Sequence, residues 1–296
     1  GENAAGRVIA LTDEIDLQAD LPITTVIAQV AAAHGDNPAG ALQDLACAYQ
    51  RTGKTQEACE TYLYIRDTYA STPEAIWANS RVAMLSLELA KQMPVSVAQE
   101  AIRRLVTSEG QMADKPGLDD NLIEIADAAL GRQLFAEAGE LYQLILRCWP
   151  DSPQGITAQT GLITAAMHRM DFTMVEQQYQ QLLRQFGGHR RIADKVNEVA
   201  HLYERFKMSA KSRDLYRYVT QTWPTSDGGA AALTQEIRLN ILLRDRAGYE
   251  AALAKAQGAM AENKEVARAV REAADYCYKK KYYDYAKELY QVVVDT

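Results

Sequence analysis

The 296-residue sequence predicts an all-α fold, a solenoid of antiparallel helix pairs with a period of about 37 residues. Three observations carry this reading. An aromatic residue followed by a Pro- or Gly-containing turn recurs at Trp149-Pro150, Phe186-Gly187 and Trp223-Pro224, 37 residues apart each time. Seven residues before each mark, and at the corresponding steps along the rest of the chain, runs a second ladder, Tyr62, Ile102, Tyr142, Tyr179, Tyr216, Leu253 and Tyr290, with an apolar residue three positions after each rung. That spacing places rung and partner on one helical face. Finally, the segments before the rungs carry apolar residues at i, i+3, i+4 and i+7, as in Leu42, Leu45, Ala46, Tyr49 and again in Val196, Val199, Ala200, Tyr203, which is the pattern of an amphipathic helix.

Taken in chain order, residues 1–20 fit no element. Leu21 to His34 read as a helix, with Pro22 near its start and Gly35 closing it. Together they make an N-terminal segment, residues 1–38, ahead of a repeat domain of about seven units over 39–296. Each unit is helix, short turn, helix, longer turn. A small residue stands four positions before most rungs (Ala58, Ala98, Ala138) and lets two helices approach closely. The second unit runs longer than 37 residues, and its extra length is assigned to a loop from Asp114 to Asp120. The unit starting near Ala231 departs most, with Asn240 where other first helices have Tyr and Tyr249 where other second helices have a small residue. One further step of the period falls just past Thr296, so a C-terminal truncation is expected.

In order, Leu42, Leu45, Ala46, Tyr49, Ala58 and Tyr62, and again Leu122, Ile125, Ala126, Ala138, Tyr142 and Pro150, resemble the tetratricopeptide repeat family. The departures are a period of 37 where 34 is common, and Ile65 and Ile145 where Ala is usual. The resemblance implies a right-handed superhelix whose first helices line a concave face and bind protein segments. The aromatic-Pro-x-Ser turns are loosely similar to those of bacterial envelope tetratricopeptide proteins, which leans toward a bacterial, extracytoplasmic setting.

Composition bounds the function. The chain is 48% hydrophobic and 24% charged, in the range of folded domains. No run reaches the roughly 20 apolar residues that span a bilayer, so direct membrane insertion is not expected. The first residues carry no signal-peptide pattern; since the chain does not begin with Met, a processed or excised chain is the plain explanation. Residues 1–150 hold 11 Lys/Arg and 21 Asp/Glu, and residues 151–296 hold 21 and 18. An acidic chain without a basic stripe is a poor nucleic-acid binder. Four cysteines are too sparse for a disulfide framework, although Cys47 and Cys59 could face each other across one hairpin. No HExxH, phosphate loop, GxGxxG or GxSxG occurs. His34, His168, His189 and His201 sit in different units without carboxylates at ligand spacing. No enzyme, cofactor or metal site is therefore expected. Gly187-Gly188-His189-Arg190-Arg191 could grip an anion, but a glycine helix stop followed by solvated charge explains it as well. Lys279-Lys280-Lys281 suits a helix C-terminus.

Read through the resemblance, the groove-facing positions are Gln43, Cys47, Gln50 and Arg51 early in the chain. In the middle repeats they are Ile123, Asp127, Thr160, Thr164 and His168. Later they are Asn197, His201, Arg205, Arg238, Arg271, Asp275 and Lys279. The last set, rich in Arg and Asn, is the expected groove for a partner segment of acidic character, because Arg captures carboxylates bidentately and Asn bonds extended backbone. The function expected is a protein-interaction scaffold or adaptor. The alternatives are a non-catalytic arm of a larger enzyme or envelope assembly, and a homotypic assembly unit suggested by the charge asymmetry.

Overall fold

The computed structural model describes residues 21–89, 91–112, 115 and 117–295, and all the regular structure in them is helical. Residues 1–20, for which the sequence predicts no element, lie outside this set. The chain divides into two units, Gly1–Ala165 and Ala166–Thr296. The first holds α1 (Ile23–Ala33), α2 (Pro38–Arg51), α3 (Thr55–Thr68), α4 (Pro73–Glu88), α5 (Val95–Thr107), a 3-10 turn (Glu109–Gln111), α6 (Leu118–Gly131) and α7 (Phe135–Cys148). Helix α8 (Gly155–His168) runs across the boundary. The second unit continues with α9 (Phe172–Phe186), α10 (Ile192–Arg205), α11 (Ser209–Thr222), α12 (Asp227–Leu242), α13 (Arg246–Gln257), α14 (Val266–Lys279) and α15 (Tyr283–Asp295). Within each unit successive helices pack in pairs, and first helices also pack on first helices, α2 on α4 on α6 and α10 on α12 on α14. This is a helical-repeat fold, with second helices starting at Phe135, Phe172, Ser209, Arg246 and Tyr283, 37 residues apart throughout.

The turn inside each pair explains that regularity. Gln133, Met170, Lys207, Arg244 and Lys281 all adopt the left-handed conformation, φ 58 to 64°, and Gly53 does so in the first pair. The left-handed residue reverses the chain. The residue after it then donates its N–H back five positions, Lys54 to the Tyr49 carbonyl (2.9 Å), Leu134 to Ala129 (2.9 Å), Met208 to Tyr203 (2.9 Å) and Asp245 to Asn240 (2.8 Å). These bonds satisfy carbonyls that the helix end leaves open. Five of the six residues carry a Cβ that this conformation penalises by roughly 1–2 kcal/mol. Exposed Gln133 tests the cost: Gln133→Gly is expected to raise stability by about 0.5–1 kcal/mol, the relief being partly offset by glycine's greater chain entropy. An unchanged or lower urea midpoint would contradict this account of the turn.

Several second helices and first helices start on side-chain caps. Asp171 accepts from the Met174 N–H (3.0 Å), Asp245 from Gly248 (2.8 Å), Ser226 from Gly229 (2.9 Å) and Asn37 from Gly40 (3.1 Å). Helix α6 corrects the expected loop: it begins at Leu118, whose side chain is wholly buried, while Asp119 and Asp120 sit in its first turn, where carboxylates suit the helix dipole.

Five of the seven rungs, Tyr62, Ile102, Tyr142, Tyr179 and Tyr216, are buried in the core as the periodicity predicts, whereas Leu253 is half-buried and Tyr290 is exposed. Tyr62, Ile102, Tyr142 and Tyr216 are at most 1% exposed, and the small residues beside them (Ala58, Ala98, Ala138, Ser212) are fully buried. The divergent pair keeps the filling but exchanges its parts. Where α10 and α11 place Tyr203 and Ser212, α12 and α13 place Asn240 and Tyr249, both fully buried, and the rung Leu253 is only half-buried. Bulk moves from the first helix to the second and total volume is kept, which cores tolerate. Tyr249 then packs edge-on against Tyr285 at 4.8 Å, with the Arg246 guanidinium 5.0 Å from its ring centre. All four cysteines are free thiols. Cys47 and Cys59 do not pair: the Cys47 sulfur lies 3.3 Å from the Tyr62 hydroxyl, while Cys59 is buried and its thiol pushed up to about 11.

Candidate functional site

Three ladder tyrosines, Tyr62, Tyr142 and Tyr290, deliver their hydroxyls to the first-helix residue 15 positions earlier. Tyr62 reaches Cys47 and donates to the Gln50 side chain at 2.9 Å. Tyr142 donates to the Asp127 carboxylate, and Tyr290 donates to Asp275 at 2.6 Å. Tyr216 meets His201 ring edge to face at 5.5 Å. Burial pushes the phenols of Tyr62, Tyr142 and Tyr216 well up, so they stay neutral. The sequence marks the tyrosines as core and the first-helix residues as groove; the structure couples the two. Buried Tyr62 and Tyr142 thus hold Gln50 and Asp127 on the outer face of their first helices.

In the second unit this face is a stripe repeated in register. It runs through Asp194, Glu198, His201 and Arg205 on α10, then Ala231, Gln235, Arg238 and Leu242 on α12, then Arg268, Glu272, Asp275 and Lys279 on α14. His201, Arg205, Arg271, Asp275 and Lys279 are exposed. Arg205 also lies near His168, whose imidazole is held below its ordinary pKa by burial and then by that charge. Arg238 is committed inside the protein. Its guanidinium contacts both Glu204 carboxylate oxygens at 2.6 Å, donates from Nε to Gln235 at 2.8 Å and stacks 5.6 Å from the Tyr276 ring centre.

Asn197 lies between repeats, 8% exposed, with its amide donating to the Gly228 carbonyl at 2.8 Å. Thr234, one period later, does the same to Ala269 at 3.0 Å. These two side chains staple one first helix to the next. Arg271 is the third residue in that register. The approach is close at Gly228, where an added Cβ would lie 2.7 Å from the Ala193 Cβ. In the first unit, Ile123 and Thr160 of the expected groove are buried, while Asp127 is exposed and Thr164 half-buried. In the Gly187–Arg191 loop, the His189 N–H bonds the Phe186 carbonyl at 2.9 Å and the Arg191 N–H bonds His189 Nδ1 at 3.1 Å, with both arginines exposed.

The sequence reading misses one polar cluster. Glu236 is fully buried on α12 and receives Lys255 Nζ at 2.8 Å and the Thr220 hydroxyl at 2.7 Å, with Arg217 Nε at 3.5 Å. It joins α11, α12 and α13. A lone Glu between Gln235 and Ile237 gives no sign of this, because its partners come from two other helices. Among the described residues no group of three or more His, Cys, Asp or Glu is placed to hold a metal, and no helix is long and apolar enough to cross a membrane.

No family model matches the chain, and no curated protein matches it. Solved structures similar to it include a protein with nearly identical TPR-like repeats of kinesin-light-chain type from Podospora anserina, at 19% identity and TM-score 0.43, covering 61% of this chain and 92% of that one. PilF of Pseudomonas aeruginosa is similar at 16% identity and TM-score 0.41 (78% and 96% covered). A tetratricopeptide repeat protein from Parabacteroides merdae is similar at 16% identity and TM-score 0.40 (99% and 100%). At these TM-scores the likenesses carry no weight, and the repeat fold is read from the 37-residue helix pairing of the chain itself.

Proposed function

We propose that the chain is a non-catalytic protein-interaction scaffold that holds a partner segment along the first-helix face of residues 194–279. The observation that carries this reading is the stripe along α10, α12 and α14, which presents polar side chains at the repeat interval, its α10 part backed by the buried Tyr216 ring. Repeat surfaces of this kind suit extended partners. Exposed Arg205, Arg271 and Lys279 offer charge to a segment of acidic character. Arg238 contributes by shaping the face, since Glu204 already engages it.

The test uses Arg205→Glu/Arg271→Glu as the binding variant. Arg238→Glu is unsuitable, because it would set two carboxylates against each other at position 204. Affinity capture from source-cell lysate should retain a partner on the unmodified chain and lose at least tenfold of it on the double variant, with thermal stability unchanged. A partner retained equally by both would refute the first-helix face as the binding surface.

A further inference from the structure

We propose that the edge of the Ala166–Thr296 unit formed by its intra-pair turns adsorbs to an anionic lipid surface. Four turns build this edge, residues 169–172, 206–209, 243–246 and 280–283. All four share one backbone. A left-handed residue (Met170, Lys207, Arg244, Lys281) is followed by an N–H that returns five positions, Asp171 to the Ala166 carbonyl (3.0 Å), Met208 to Tyr203 (2.9 Å), Asp245 to Asn240 (2.8 Å) and Tyr282 to Cys277 (2.9 Å). First helices α10, α12 and α14 pack side by side in register, so the turns that end them align. The turn at 169–172 joins the row through His168, whose ring meets that of Phe206 at 5.2 Å.

The side chains along this edge are of two kinds, cations and apolar groups. Arg169, Lys207, Arg244, Lys280 and Lys281 are exposed, and none has an ion-pair partner among the described residues. The acids of the same turns are drawn inward. Asp171 caps α9, and Asp245 caps α13 and holds Arg213 at 3.0 Å. Asp284, just after the last turn, is exposed. Outside the last helix pair, five large apolar side chains are exposed among the described residues of this unit, and four of them, Met170, Phe172, Leu242 and Leu243, lie at these helix ends; Tyr218 is the fifth. Exposed apolar residues scattered singly need no explanation, but gathered on one edge beside unpaired cations they point to a partner. The combination decides which one. A nucleic acid would neutralise the cations and leave the aliphatic side chains against a polar backbone. An anionic bilayer satisfies both at different depths. Met, Phe and Leu enter the boundary between headgroups and acyl chains, while Lys and Arg keep their charges at the lipid phosphates and carboxylates.

Vesicle flotation of the whole chain tests the proposal, with vesicles of phosphatidylcholine and of equimolar phosphatidylcholine and phosphatidylserine. The chain should float with the mixed vesicles, remain below with phosphatidylcholine alone, and be released by added salt. Lys207→Gln/Arg244→Gln should weaken the partition about tenfold or more. Gln already occupies this left-handed position at Gln133, and circular dichroism checks that each variant folds. Met170→Gln/Leu243→Gln should weaken it by a similar factor with every charge kept. Arg190→Gln/Arg191→Gln removes as much charge from a loop between pairs and should float as the unmodified chain does. An unmodified chain that fails to float, or that floats equally with phosphatidylcholine alone, would overturn the proposal. An equal loss from Arg190→Gln/Arg191→Gln would do so too, by showing diffuse charge at work instead of this edge. Undiminished flotation of Met170→Gln/Leu243→Gln would replace the bilayer with a purely polar polyanion.

Discussion

Gly161→Ala should destabilise the Gly1–Ala165 unit by about 3 kcal/mol, the upper end of what overpacking a core costs. Helix propensity alone points the other way, since Ala in place of a mid-helix Gly adds up to about 1 kcal/mol. Packing decides the sign. A Cβ at 161 would lie 2.3 Å from Cζ of Tyr142 and 2.5 and 2.7 Å from its two Cε carbons. That ring cannot withdraw, because it is fully buried and its hydroxyl is tied to Asp127. Urea unfolding followed by Trp fluorescence measures the loss, with Trp77 and Trp149 reporting on the first unit and Trp223 on the second. The double variant Tyr142→Leu/Gly161→Ala should lose less than the two single losses combined, since one substitution vacates the space the other fills. A stabilised Gly161→Ala would show that α8 does not press on this ring.

Lys255→Met should destabilise the Ala166–Thr296 unit by about 3 kcal/mol, the cost of leaving a buried charge without its partner. Glu236 is fully buried and cannot turn to solvent, and Arg217 at 3.5 Å and the Thr220 hydroxyl compensate only in part. The converse change, Glu236→Leu, should cost about 1 kcal/mol, because Lys255 is 16% exposed and its long stem can carry the ammonium to water. The asymmetry is the informative quantity. Equal losses from both substitutions, measured by denaturant midpoint with the Trp223 signal, would mean that the ion pair acts as an ordinary surface contact.

Legibility of the fold followed the range of the interactions. The ladder Tyr62, Tyr142, Tyr179, Tyr216 is visible in the sequence because each rung repeats the same local environment at the same interval, so burial leaves a periodic trace. The turns were visible only as intervals. Gln133, Met170, Lys207, Arg244 and Lys281 share a left-handed backbone without sharing a residue type, so no composition signal marks them. The start of α6 was set too late because the acidic residues 119 and 120 read as loop, whereas buried Leu118 and the helix dipole favour them in a first turn.

The groove residues divide for a related reason. Helical spacing places Asn197, His201, Arg205, Arg238, Arg271, Asp275 and Lys279 on first helices, and this much is local. Which of them face solvent depends on the next helix pair. Asn197 is turned into a staple by the Gly228 carbonyl, and Arg238 is held by Glu204 from the preceding first helix. By itself, then, the sequence determined the helical class, the 37-residue period and the identity of the core rungs, because these rest on contacts between residues close in the chain. Only the tertiary structure decided the exchange of bulk between Asn240 and Tyr249 and the buried Glu236 cluster. Each depends on side chains brought together from different helices, where packing volume and desolvation leave no periodic mark in the sequence.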